Sequence, residues 1–210
     1  MANKLAGSAN RKRKTEKEGQ ERKNDMANDK ISFRKAGLED VDAIAEIYEK
    51  IHDAEEAGEL TTGWLRGIYP TRDTALAGID RDDLFVAVEE GAGGEEKIIG
   101  AAVINQIQVD VYEGAPWEYD APDDEVMVLH ALVISPDLYG SGYGRAFVGF
   151  YEQYALEHGC RYLRIDTNER NKRARAFYES LGYKEITIVP TVFNGIPGVG
   201  LVLIEKTLDA

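Results

Sequence analysis

Three glycines at alternate positions, Gly140, Gly142 and Gly144, stand between an apolar run and a helical pattern, and no other junction restricts this chain as much. The run from Val126 to Ile134 is broken only by His130 and reads as a buried strand, closed by Pro136 and Asp137. After the glycines, Arg145 to Tyr151 begins a helical period. A strand, a glycine loop and a helix in that order make an anion site, because glycine lets the backbone approach closely and the first amides of a helix lack partners within it. A phosphate or pyrophosphate is the expected anion. The absence of a Lys-[Ser/Thr] pair argues against a Walker loop. A dinucleotide site stays open at this point, since Asp166 ends the next apparent strand at the distance of a ribose-binding acid. So does a plain glycine turn with no ligand.

Length and charge narrow the field. The 210 residues suit one domain with a real core. No apolar run is long enough to span a bilayer, so no membrane partner is expected. The start, with its basic cluster Arg11–Lys14 after a weakly apolar segment, is the reverse of a secretory signal. The lone Cys160 has no internal disulfide partner, which fits a reducing compartment, and a cytoplasmic location is expected. Residues 1–30 hold nine Lys/Arg and five Asp/Glu with little to bury, and they read as a disordered charged tail. The remaining residues, 31–210, carry sixteen cations against thirty-three acids, a net −17 that would repel nucleic acid and attract cationic partners.

Along the chain, Ile31–Lys35 alternates as a strand, and Gly37 with Asp40 caps a helix whose stripe is Val41, Ile44, Ile47, Tyr48 and Ile51. His52 lies near the end of that helix and His158 near the end of a later one, and neither is given a catalytic role. Trp64 and Tyr69 sit in an irregular aromatic segment and are available to line a pocket. Thr71 caps a short second helix. Two strands follow around Gly91–Gly94, then a long acidic and aromatic loop, Val109–Glu125, containing Trp117 and Glu118. Such a loop suits an amine as well as it suits solvent. Beyond the glycine helix come a strand at Tyr162–Thr167, a helix with Ala174, Phe177 and Tyr178, and strands at Glu185–Val189 and Val199–Leu208 around a turn at Asn194–Gly198. The order β-α-α-β-β-β-α-β-α-β-β counts against a dinucleotide fold, whose first strand precedes its glycine loop.

Two motifs carry a family resemblance. Tyr139-Gly-Ser-Gly-Tyr-Gly144 resembles the Gln/Arg-x-x-Gly-x-Gly/Ala loop of the GNAT superfamily of acetyl-CoA-dependent N-acetyltransferases, departing only in Tyr139. The segment Asn171 to Tyr183 is similar to that family's Asn-x-x-Ala-x-x-Phe/Leu-Tyr-x-x-x-Gly-Phe/Tyr. The likeness covers roughly residues 31–208. It implies an α/β (α+β) fold with a mixed, mostly antiparallel sheet of six to seven strands and four flanking helices. It also implies acetyl-CoA as co-substrate, an amine-bearing acceptor as partner and no metal, and it is compatible with a homodimer. Leu129-His-Ala-Leu-Val-Ile is locally similar to arylalkylamine N-acetyltransferases, in which a His in the place of His130 helps deprotonate the amine; their second His is Val128 here.

By that resemblance, the coenzyme contacts are Leu132, Val133 and Ile134 on the strand, Tyr139, Gly140, Ser141, Gly142, Tyr143, Gly144, Arg145 and Ala146 in the loop, and Asn171, Ala174 and Tyr178 in the next helix. Direct attack through a ternary complex needs a base, because an amine near pKa 10 is protonated at neutral pH. His130 is the expected base, with Glu125 and other acids of the loop as rivals. Tyr178 is the expected proton donor to the departing thiolate. Trp64, Tyr69, Trp117 and Glu118 are expected around a small, cationic amine. A protein N-terminus or lysine as acceptor, and a GNAT-fold module that binds without turnover, are the competing readings.

Overall fold

The apolar run Val126–Ile134 is strand β4, at the centre of a seven-stranded sheet. The computed structural model describes residues 31–91 and 93–209, so the charged tail expected over residues 1–30 lies outside them. The other strands are β1 (Ile31–Lys35), β2 (Leu84–Glu90), β3 (Glu96–Asn105), β5 (Tyr162–Asn168), β6 (Lys184–Phe193) and β7 (Ile196–Thr207). Four α-helices join them, α1 (Val41–Glu56), α2 (Arg72–Asp80), α3 (Tyr143–Glu157) and α4 (Lys172–Glu179). The sheet order is β1-β2-β3-β4-β5-β7-β6, antiparallel throughout except for the β4–β5 pair. None of the described helices is long and apolar enough to cross a membrane.

Helices cover both faces. The α1 stripe Ile44, Ile47, Tyr48 and Ile51 packs with Val86, Val88 and Val103 on one face. On the other, Phe147, Val148, Tyr151 and Ala155 of α3 pack on Leu163, Ile165 and Ile204. The loop between β3 and β4 folds back over the first face, where Tyr112 is buried against Val126, Val128 and Leu203 with Trp117 packed beside it. At the entry to α1, Asp40 accepts from the Gly37 amide at 2.8 Å and from Arg34 at 2.6 Å and 2.9 Å. The guanidinium holds the Asp40 carboxyl below the usual carboxylate range.

The last hairpin is longer and its turn tighter than the sequence pattern suggests. Strand β6 continues to Phe193 and β7 begins at Ile196, leaving Asn194 and Gly195 as a two-residue turn with φ of 49° and 78°. Both central residues in the left-handed region mark a type I′ turn, for which Asn-Gly is the favoured pair. Pro190 interrupts the strand pattern but is tolerated because β6 is an edge strand.

Strand β4 is irregular where it matters. Its register with β3 runs His130↔Val103 and then Val133↔Ala101, so β4 has one residue more than its partner over this stretch. Ala131, with φ of 49°, absorbs it as a bulge. On the other side, pairing with β5 covers only Val126↔Tyr162 to Leu129↔Ile165. Beyond Leu129 the two strands separate, while Tyr151 ties their closed end by donating to Met127 O at 2.6 Å with Arg164 O at 3.3 Å.

The bulge depends on a glycine across the ladder. A Cβ on Gly100 would stand 2.6 Å from Val133 O and 2.6 Å from Ile134 Cδ1. Gly100→Ala is therefore expected to destabilise the fold by about 1–3 kcal/mol, seen as a fall in melting temperature of roughly 2–12 °C by thermal unfolding.

Candidate active site

The separation of β4 from β5 opens a cavity of about 830 Å³. Its wall comes from both faces of the sheet. Leu132, Val133 and Ile134 of β4 and Asn171, Ala174 and Tyr178 of the α4 segment line one side, together with Tyr139 to Arg145 of the glycine loop. Trp64, Tyr69 and Phe193 line the other. Because the bulged end of β4 has no β5 partner, its backbone polar groups on that edge face the cavity instead of a ladder.

The glycine loop is an anion cradle. Gly140 and Gly142 adopt φ of 83° and 94°, a region that favours glycine, and Gly142 is the N-cap of α3. Ala146 makes the first bond of the helix, to Gly142 O at 3.1 Å. The amides of Tyr143, Gly144 and Arg145 precede it and have no intrahelical acceptor. Ala146 itself is absent from the cavity wall. Tyr139, the departure from the family loop, carries the Arg173 guanidinium over its ring at 4.0 Å. A cation thus reaches the loop from α4 rather than from position 139.

Tyr178 is buried in the core beneath α4, yet its hydroxyl forms no hydrogen bond among the described residues and the residue lines the cavity. Burial, with the nearby charge of Asp166 adding, raises its phenol above the ordinary value, so it stays protonated at neutral pH. Asp166 itself stands on the cavity wall and accepts from the Tyr112 hydroxyl at 2.9 Å. Burial pushes its carboxyl up to about 6, against the opposing effect of that hydrogen bond. The sequence signal for Asp166 is the one acid of strand β5, legible only as the ribose contact of a fold the chain does not have.

His130 also lines the cavity, but as a fixed neutral imidazole. Asn105 Oδ1 accepts from the Ile107 amide at 2.9 Å, and Asn105 Nδ2 donates to Asp83 at 2.7 Å, which sets the orientation of the amide. His130 Nε2 lies 3.2 Å from Asn105 Oδ1 and 3.1 Å from Ile107 O, both acceptors. Nε2 must therefore carry the proton, leaving the lone pair on Nδ1. Burial pushes the imidazole pKa down to about 4.

Besides Ala146, three of the expected residues stand elsewhere. Glu125 ends a 3-10 turn at the closed end of the β4–β5 pair, where its carbonyl accepts from the Arg161 amide at 3.0 Å. Trp117 packs behind Tyr112, donates to Tyr112 O at 3.0 Å and carries Arg164 over its ring at 4.1 Å. Glu118 is drawn outward to Lys184. No acid of the loop Val109–Glu125 reaches the cavity wall, because the loop spends its aromatic residues on covering the sheet and turns its carboxylates away.

Comparison with known proteins gives a consistent placement. A family model described as acetyltransferase (GNAT) family matches residues 43–183. An uncharacterised N-acetyltransferase of Methanocaldococcus jannaschii is 32% identical over 73 residues, 35% of this chain and 32% of that protein. A thialysine N-epsilon-acetyltransferase of Bos taurus is 32% identical over 59 residues, 28% of this chain and 35% of that protein. The chain thus spans about a third of the length of these curated relatives. Among solved structures, a GNAT-family acetyltransferase of Streptococcus agalactiae superposes with a TM-score of 0.69 at 22% identity, over 86% of this chain and 96% of that one. The YncA structure of Salmonella typhimurium, solved with acetyl-CoA, gives a TM-score of 0.59 at 18% identity, over 86% and 95%. These structural likenesses establish the fold.

The His130 geometry has a direct spectroscopic consequence. In ¹⁵N NMR the ring is expected as the Nε2–H tautomer, neutral from about pH 8 down to about pH 5, where a free imidazole would titrate. Since the folded chain binds fewer protons here than the unfolded chain, this group's contribution to stability is present above about pH 6.5 and is lost as the pH falls towards 4. A titration midpoint near 6.5 in the folded protein would overturn the assignment.

Proposed function

The chain belongs to the GNAT acetyltransferase family, and from that premise we propose that it is an acyltransferase moving an acetyl group from acetyl-CoA to a primary amine by direct attack. The observation that carries this reading is one continuous cavity that joins the free amides of the glycine loop to the Tyr178 hydroxyl through the opening between β4 and β5.

Acetyl-CoA supplies an activated acetyl thioester; the rest is work for the chain's own groups. The amides of Tyr143, Gly144 and Arg145 suit a pyrophosphate, with the Arg173 guanidinium held beside them on Tyr139. The unpaired edge of β4 from Leu132 to Ile134 offers peptide groups for the amides of a pantetheine arm, and an amide aimed at the thioester oxygen would stabilise the charge that develops there. Asn171 caps α4 by accepting from the Ala174 amide at 3.1 Å, which leaves its side-chain NH₂ free toward the cavity. Tyr178, protonated and without a hydrogen-bond partner among the described residues, suits the role of donor to the departing sulfur. His130 fits a neutral hydrogen-bonding wall better than a base, since its proton affinity is low and its Nε2 is engaged.

A module that binds acyl-CoA without turnover would have no use for an unpartnered hydroxyl at the end of the cavity, and this favours the enzyme. Tyr178→Phe is expected to lower kcat by about 100-fold or more, measured as free-thiol release from acetyl-CoA with a primary amine. The same variant should keep the rise in melting temperature that acetyl-CoA gives the wild type. Full turnover in the variant would remove the proton-donor role.

A further inference from the structure

The cavity wall opposite the glycine loop has a simple composition. Among the described residues lining the cavity, Asp166 is the single carboxylate. Tyr69, Val109, Phe193, Ile196 and Leu201 of the cavity wall pack with Tyr112, the hydrogen-bond partner of Asp166, and the polar wall residues that follow Asp166 in the strand, Thr167 and Asn168, carry no charge. Asp166 Oδ2 accepts from the Tyr112 hydroxyl at 2.9 Å, and no hydrogen bond to Oδ1 is formed among the described residues. A half-satisfied carboxylate in a largely apolar wall is costly unless a cation or donor meets it. The cation on this side of the cavity, Arg81, is engaged with Asp83 at 2.8 Å and 3.1 Å. A ligand carboxylate would find no free cation here, and a second ammonium group would find no second acid.

Resting on the acetyltransferase reading above, we propose that this end of the cavity is an acceptor subsite for a primary monoamine on an uncharged apolar body, with the Asp166 carboxylate receiving its ammonium group and removing a proton. The proton of one N–H bond passes to Asp166, and the freed nitrogen pair forms the N–C bond to the acetyl carbonyl. The C–S bond breaks with its electron pair going to sulfur, which takes a proton from Tyr178. The nitrogen's second proton restores Tyr178, and the proton on Asp166 is released to solvent, so that one proton leaves per amide formed.

The surroundings of Asp166 agree with this role. The titratable groups near it are Tyr112 from the β3–β4 loop, Tyr69 from the segment before α2 and Tyr178 from α4, and His130 of β4 shares the cavity wall. The tyrosines stay protonated at neutral pH and the histidine stays neutral, so none competes for the charge. On β7 its partner in the ladder is Leu203. With its own carboxyl pushed up to about 6, Asp166 is ionised at neutral pH and is a stronger base than a free carboxylate.

Phenethylamine, cadaverine and lysine separate the possibilities, each tested by calorimetric binding to the full chain and by thiol release from acetyl-CoA. Phenethylamine is expected to bind and to have a kcat/KM at least about 100-fold above cadaverine or lysine, which bring an unmatched charge into the cavity. Asp166→Asn keeps an acceptor for Tyr112 and removes a buried charge, so the fold should persist. It should weaken phenethylamine binding at least about 10-fold, abolish the acid limb of kcat/KM near pH 6, and leave the thermal shift by acetyl-CoA unchanged. Preference for cadaverine or lysine, or a variant with unaltered amine binding and pH profile, would overturn the proposal. Amine binding that depends on Asp166, with no thiol release from any amine, would sustain the ammonium site and sink the acetyltransferase reading.

Discussion

Everything distinctive about this molecule follows from a hydrogen-bond ladder that stops early. Strands β4 and β5 pair over four residues and then part. A parallel pair in the middle of a sheet would ordinarily continue, since unpaired backbone groups are costly when buried. Here the cost is avoided because the groups face a cavity. The bulge at Ala131 turns the end of β4 away from β5 while keeping it on β3, and the room for that turn exists because Gly100 presents no side chain. Tyr151 holds the other end closed. The divergence is thus built from three local features on three elements.

The charge of the chain is organised around the same opening. The acidic excess of residues 31–210 lies on the outer surface, in helix α1 and in the loop Val109–Glu125, where it is solvated or paired as in the Arg66 cluster with Asp53 and Glu56. Among the described residues lining the cavity the balance reverses: one carboxylate stands against Arg81, Arg145 and Arg173. The last two stand at the glycine-loop end, which suits an anionic coenzyme there. The single carboxylate stands apart from them among aromatic residues.

Element order, the glycine loop and the second motif were all legible in the sequence because each is local. Alternation, capping and glycine spacing report on a few consecutive residues, and the seven strands and four helices of the described residues follow from them. What depends on distant partners was not legible. The acidic loop promised carboxylates for the site, yet whether Glu118 turns inward is decided by Lys184, far along the chain. His130 looked like a base from its residue type, and its neutrality comes from Asn105, Ile107 and burial. Asp166 gained its meaning only once Tyr112, Tyr69 and Tyr178 were brought around it by three other segments. The turn at Asn194-Gly195 is a different case: its local signal was present, and the proline at position 190 obscured the strand leading into it.

Desolvation moves all three cavity groups the same way, toward their neutral forms: the imidazole of His130 down, the carboxyl of Asp166 and the phenol of Tyr178 up. Which of the first two can take a proton from an amine is then a matter of the gap to be crossed. An amine near pKa 10 lies about four units above Asp166 and about six above His130. For the imidazole, transfer merely moves a positive charge from one buried group to another, so the low dielectric gives no help. For the carboxylate, transfer turns an ion pair into two neutral molecules, and the same burial that raised the acid's pKa now favours the product. On the proposed role of Asp166, the dryness that lowers the proton affinity of His130 is the same one that raises that of the carboxylate.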